Sequence, residues 1–230
     1  MPADHNRVTR VPWTEREAWV GVACLGAWML ASMGIVLLVG RAGLRIDPGV
    51  LVSLLELPLL LPVWWLGVHR YDTGWKSLGL TGFSPGTLLI GLGLLLATLI
   101  LNALYDALLS QFGLRAQPDF TRVFEQASSP WPLLVGGSVL IPFVEEVFFR
   151  GFVLAGFRKA YGWTTAMLLS SGLFALVHLQ PLAIPPIFVL GMVFAYLYRR
   201  SGSIWPAVLL HVLMNAMALG GAYRAALTGS

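Results

Sequence analysis

The chain has 230 residues, 57% hydrophobic and only 11% charged, with a formal net charge of +4 and a mean hydropathy of +0.76. Soluble domains carry about 25% charged residues, so this composition excludes a soluble globular domain and implies an all-α, polytopic membrane protein. The excess of Lys and Arg sits in the connections between apolar runs, where membrane insertion accounts for it, so no nucleic-acid partner is implied. The single cysteine, Cys24, excludes a disulfide framework and a thiolate metal site, and reads as a small buried hydrophobe.

A helix needs about twenty apolar residues to cross a bilayer. On that measure the chain holds about seven spans, roughly Ala18 to Gly40, Gly49 to His69, Gly86 to Ser110, Trp131 to Phe157, Trp163 to Leu179, Ile184 to Tyr198 and Ile204 to Ala222. Residues 1–17 form a polar tail and 18–230 a single transmembrane domain, with no internal repeat. The first apolar run is too long for a signal-peptide core, so it is expected to stay attached as a span. A short interfacial helix is expected around Phe120 to Phe124, and the linker QPLAIPP between the fifth and sixth spans, with three prolines and no charge, is expected to lie partly inside the membrane against protein or water.

Positive charges set the expected orientation. With the N-terminus in the cytoplasm, inner segments carry Arg7, Arg10, Arg16, Arg70, Lys76, Arg158, Lys159, Arg199 and Arg200, against Arg41, Arg45, Arg115, Arg122 and Arg224 outside. Trp13, Trp19, Trp64, Trp65, Trp75, Trp131, Trp163 and Trp205 fall mostly near span ends and read as interfacial anchors.

The fourth span contains IPFVEEVFFRG, residues 141–151, which sets two acids and a guanidinium in an otherwise apolar run. Ionised groups in hydrocarbon cost several kcal/mol unless paired or facing a wet cavity, so they mark a functional site. Glu146 and Arg150 are four apart and can pair on one helix face, while Glu145 points about 100° away and is free to work. Tying helices together would need only one such pair. Pro142, three residues before Glu145, removes the helical bond to the Ser138 carbonyl, and the GGS run before it allows another helix close.

Two further polar sets lie in apolar runs: FALVH, Phe174 to His178, in the fifth span, and HVLMN, His211 to Asn215, in the seventh. Rise along each helix brings Glu145, His178 and Asn215 to within a few ångströms of one depth, about 18–22 Å from the cytoplasmic side, with His211 at about 12 Å. The active site is therefore expected between the fourth, fifth and seventh spans. A carboxylate and a neutral imidazole aimed at one water form a general base, and an imidazole beside a carboxamide can hold an oxyanion, which together is the equipment of peptide hydrolysis. His178, His211 and Glu145 could alternatively bind zinc, although the contiguous HExxH signature is absent. Asn102 and Asp106 on the third span read as an interfacial pair or helix contact. Glu56, two residues before Pro58 and six before Pro62 in the second span, has no obvious local partner, and a place on the cavity wall is its alternative reading.

The motifs EEVFFR, FALVH and HVLMN, in that order, resemble the EExxxR, FxxxH and HxxxN pattern of the CPBP intramembrane proteases. That family includes type II CAAX prenyl endopeptidases and bacteriocin-processing or immunity (Abi-type) proteins. The likeness covers about residues 131–218, with Gly151 and GSIWPAVLLH adding to it. It implies that Glu145 and His178 activate water, that His211 and Asn215 stabilise the oxyanion, and that Glu146 and Arg150, with Phe174, support the site. The implied enzyme is a glutamate-type intramembrane endopeptidase, often described as a metalloprotease. No cofactor is favoured, and zinc is the alternative. Its partners would be membrane lipid and peptide or protein substrates at the membrane, and its expected location is the bacterial plasma membrane. A non-proteolytic immunity or scaffold member of the same fold is the competing reading. A proton-coupled transporter fits less well, because transporters repeat their halves and here the chemistry lies in the C-terminal half.

Overall fold

Helix starts follow from capping chemistry. In the computed structural model, which describes residues 11–116 and 120–229, helix α1 (Glu15–Arg41) opens on Thr14. The Thr14 hydroxyl accepts from the Arg16 amide at 3.3 Å, and Glu17 takes the Thr14 N–H at 2.9 Å, forming a capping box. The rods that follow are α2 (Pro48–His69), α3 (Pro85–Ser110), the short α4 (Thr121–Gln126), α5 (130–161), α6 (163–176), α7 (Ile184–Ser201) and α8 (Trp205–Thr228). Prolines open α2, α3, α5, α7 and α8, where a missing amide hydrogen costs nothing.

The protein is an all-helical membrane bundle, with no strand among the described residues. Among the described residues, five helical stretches are long and apolar enough to cross a membrane. One of them, Pro130–Leu176, holds both α5 and α6, while α7, which ends in Arg199 and Arg200, falls short of that measure. Gly162 divides α5 from α6 with φ 71°, a left-handed conformation that glycine adopts without strain. The chain reverses there, so that Ser170 Oγ donates to the Phe149 carbonyl at 2.9 Å.

Helix α5 is the axis of the bundle. Every residue from Val147 to Leu154 is buried, whereas α1 fully buries only Ala18, Gly21 and Leu25, with Val22, Trp28 and Met29 half-buried against the core. Close approach to α5 depends on its glycines: Gly136 meets Ser53 of α2, and Gly137 meets Leu219 of α8, in space that a side chain would need. Two readings of single residues change in three dimensions. Trp13 is fully buried and donates from Nε1 to the Phe152 carbonyl at 3.0 Å, so it belongs to the core and is no interfacial anchor. Cys24 is exposed on the outward face of α1, because only one narrow stripe of that helix meets the bundle. Of the charges used for orientation, Arg7 and Arg10 lie outside the described residues.

Asp47 joins two parts of the frame. Its Oδ1 accepts from the amides of Gly49 and Val50 at 2.9 and 3.4 Å, capping α2, while Oδ2 accepts from the Ser128 amide and hydroxyl at 3.1 and 2.9 Å just before α5. What little burial there is works against the charge, but the donors from Ser128, Val50 and Gly49 outweigh it and hold the carboxyl below its usual range. A lowered pKa contributes stability at neutral pH that is lost as pH falls below the ordinary carboxylate range. Asp47→Ala is expected to cost about 1 kcal/mol at neutral pH, and the deficit against wild type should shrink in acid. Detergent-solubilised unfolding at several pH values measures both, and a pH-independent deficit would refute the electrostatic part.

Candidate active site

The centre is a chain of four charged or polar groups. Arg150 Nη1 donates to Glu146 Oε1 at 2.9 Å, and both side chains are fully buried. His211 Nδ1 lies 3.0 Å from the same oxygen, and its Nε2 lies 3.5 Å from Glu145 Oε2. Glu146 is thus held from two sides, and His211 bridges the two acids. A cluster this deep must be close to neutral overall. Arg150 cancels the charge of Glu146. The i,i+4 pairing of Glu146 with Arg150 is the one the sequence spacing allows, and Glu145, at a different angle on α5, faces the cavity instead.

Aromatic rings and bare backbone fix the guanidinium. Arg150 Nη2 donates to the Gly191 carbonyl of α7 at 3.2 Å, and its Cζ sits 4.3 Å from the Phe174 ring centroid and 5.3 Å from that of Phe194. Phe174 also meets the His178 and His211 rings edge-on at 5.0 and 5.7 Å, so one ring packs against three polar residues. Phe194 stacks on His211 at 5.0 Å.

His178 and Asn215 are both anchored on carbonyls that a helix leaves without an amide partner. Helix α6 ends at Leu176, so His178 lies in the turn just beyond it rather than within the span, and its own amide bonds to Ala175. The Phe174 carbonyl is then taken by His178 Nδ1 at 2.7 Å. Since a carbonyl only accepts, Nδ1 carries the hydrogen, and in the neutral ring Nε2 keeps a free lone pair. On α5 a π-helical stretch covers Gly136–Leu140, in which the Ile141 amide reaches back five residues to Gly136. The next amide in that register would come from Pro142, which has none. The carbonyl that a side chain takes up is therefore that of Gly137, one residue before the Ser138 carbonyl expected from regular helix spacing. Asn215 Nδ2 donates to it at 2.9 Å.

These groups surround a cavity of about 490 Å³. Glu145, Phe174, His178, His211 and Asn215 all line it, and Glu146 and Arg150 stand behind them. The wall is mostly apolar, with Ile141, Ile187, Leu190 and Met214 among its side chains. The cavity also takes in polar residues that lie outside the three motifs. Glu56 of α2, and Asn102 and Asp106 of α3, read above as an interfacial pair, line the same cavity. Intramembrane polarity marked Glu56, Asn102 and Asp106, but nothing in their spacing tied them to the three motifs. Gly191 and Phe194 of α7 carried no signal at all, since an apolar helix supplies such residues anyway.

The zinc alternative can be tested on donor geometry. His211 Nδ1 is taken by Glu146 and His178 Nδ1 by a carbonyl, as is usual for a metal-bound imidazole, so both Nε2 atoms stay available; yet among the described residues no three His, Cys, Asp or Glu side chains converge so as to hold one metal ion. As arranged, His178, His211 and Glu145 do not fit a zinc ligand set, which requires about 2.0–2.2 Å from each donor to the ion.

Comparison with known proteins bears on the same half of the chain. Residues 127–217 match the family model described as "Type II CAAX prenyl endopeptidase Rce1-like". The chain is 36% identical over 114 residues to an "Uncharacterized 24.3 kDa protein" of Escherichia coli, covering 46% of this chain and 52% of that one. It is 28% identical over 105 residues to the "Putative membrane peptidase YdiL" of Bacillus subtilis, covering 45% of this chain and 43% of that one. The chain spans about half the length of the curated relatives it matches. No solved structure matches it significantly.

Proposed function

We propose, from the premise that this chain belongs through residues 127–217 to the CPBP family, the family of the type II CAAX prenyl endopeptidases, that it hydrolyses peptide bonds of membrane-associated substrates by glutamate-activated water. The observation that carries this reading is the unequal treatment of two adjacent acids. Glu146 is neutralised by Arg150, while Glu145 has no guanidinium or ammonium partner among the described residues and lines the cavity together with His178, His211 and Asn215.

The reaction runs on this chain's own groups. Water between Glu145 and the free Nε2 of His178 gives its proton to the Glu145 carboxylate as its oxygen bonds to the substrate carbonyl carbon. The developing oxyanion takes hydrogen bonds from His211, in its imidazolium form, and from the second N–H of the Asn215 carboxamide. The C–N bond then breaks as Glu145 returns the proton to the leaving amine. Substrates enter from the bilayer into a cavity walled by apolar side chains, which suits a peptide already held at the membrane. The charge distribution supports a cytoplasmic N-terminus, and the bacterial relatives support a plasma-membrane location.

Purified protein in lipid nanodiscs, incubated with a library of acylated peptides and analysed by mass spectrometry, tests the reading. Defined cleavage products that vanish in Glu145→Ala are expected. Substrates bound but never cut would instead favour a scaffold or immunity role. Prolonged treatment with a strong chelator is expected to leave cleavage intact, with well under one zinc per chain by elemental analysis. Stoichiometric zinc that leaves together with activity, and restores it on re-addition, would overturn the metal-free route and make His178, His211 and Glu145 ligands.

A further inference from the structure

We propose that Pro142 is a positioning residue for the reaction: because it has no amide hydrogen, it leaves the Gly137 carbonyl open, and that carbonyl anchors the carboxamide of Asn215. The inference rests on the role given to Asn215 above and concerns how that side chain is held.

Helix register decides which carbonyl is left open. In a regular α-helix the Gly137 carbonyl would be taken by the amide of Ile141, four residues on. Here the Ile141 amide bonds to Gly136 instead. One extra residue in the turn shifts the pairing by one place, and the amide due at Gly137 becomes that of residue 142. Proline cannot supply it, so a buried backbone acceptor stands open on the wall of the cavity, and Asn215 Nδ2 fills it at 2.9 Å. Had residue 142 carried an N–H, the carbonyl would be taken and Asn215 would have lost its anchor.

The anchor also orients what it holds. A carbonyl accepts only, so the nitrogen end of the carboxamide must face Gly137, and the amide cannot turn over. One N–H is spent there, and planarity directs the other about 120° away, on a side chain that lines the cavity with Glu145 and His211. Gly137 contributes a second requirement. Its missing side chain leaves room for Leu219 of α8, and hence lets α8 bring Asn215 within reach. Pi-helical turns of this kind are rare and recur at functional sites.

Pro142→Ala supplies the missing N–H while removing a residue that disfavours helix. The expected result is unchanged or raised thermal stability, little change in KM, and a kcat lowered towards that of Asn215→Ala, which should itself fall by about 10²–10³ as loss of one oxyanion donor does. The double variant should be no slower than Asn215→Ala alone, because both act through one hydrogen bond. Pro142→Ser restores the same N–H with a different side chain and controls for volume. An independent readout comes from the chain's three asparagines, Asn6, Asn102 and Asn215. With asparagine selectively labelled with 15N, the Asn215 side-chain resonance, assigned through Asn215→Ala, should shift and exchange faster in Pro142→Ala. An unmoved resonance overturns the proposal, as does a Pro142→Ala loss of rate that multiplies with that of Asn215→Ala. A resonance that moves while both single variants keep the wild-type rate would overturn the role of Asn215 in the reaction and leave only the anchor standing.

Discussion

Glu145→Gln is expected to lower single-turnover cleavage by on the order of 10²–10⁴, the range a positioned general base supplies, in protein that inserts and melts like the wild type. The carboxamide keeps the volume and polarity of the side chain but has no basic oxygen to take the water proton. Stability should hold because Glu145 takes no part in the pairing of Arg150, whose Nη1 and Nη2 donate to Glu146 and Gly191. Its contact with His211 Nε2, at 3.5 Å, is long for a hydrogen bond. Glu145→Asp should retain part of the rate, since it keeps the base and withdraws it by one methylene. Near wild-type turnover in Glu145→Gln, on a substrate shown to be cut by this protein, would remove Glu145 from the role of base.

The second large effect concerns stability. Arg150→Ala is expected to cost about 3–5 kcal/mol, the usual result of breaking a buried ion pair from one side. Glu146 would keep only His211 as a donor to Oε1, and its Oε2 is already buried with no hydrogen-bond partner among the described residues. The Gly191 carbonyl would lose its guanidinium donor, and the Phe174 and Phe194 rings would border a void. Activity should fall together with stability, because the bond from His211 Nδ1 to Glu146 fixes the ring whose other nitrogen faces Glu145. Replacing both partners, as Glu146→Leu with Arg150→Met, should recover much of the stability and none of the activity. Thermal unfolding in detergent beside peptide cleavage separates the two properties. An Arg150→Ala protein that melts like wild type would contradict the buried pair, and an active double variant would make it dispensable for chemistry.

Glu56 shows where reading the sequence ran short. Its acidity in an apolar run was visible, but its neighbours across the cavity, Glu145 and Asn215, are about ninety and one hundred and sixty residues away in sequence, and no local spacing predicts that meeting. Hydropathy, which runs on to Leu179, puts His178 inside a span, whereas the helix stops at Leu176 and the imidazole takes over its own helix's carbonyl. Hydropathy measures lipid compatibility and is blind to where hydrogen bonding ends.

By itself the sequence determined the class of protein and the helices, because crossing hydrocarbon demands apolar runs of a given length with every backbone group paired internally. It also determined the Glu146–Arg150 pair, since residues four apart on a helix must share a face, and it set Glu145 at a different angle. Only the tertiary structure decided that His211 bridges both acids, that α7 supplies Gly191 and Phe194, that α2 and α3 help wall the cavity, and that Gly137 rather than Ser138 offers the carbonyl for Asn215. Those outcomes depend on contacts between helices far apart in the chain and on a one-residue slip of hydrogen-bond register, and neither is encoded in the periodicity of any single segment.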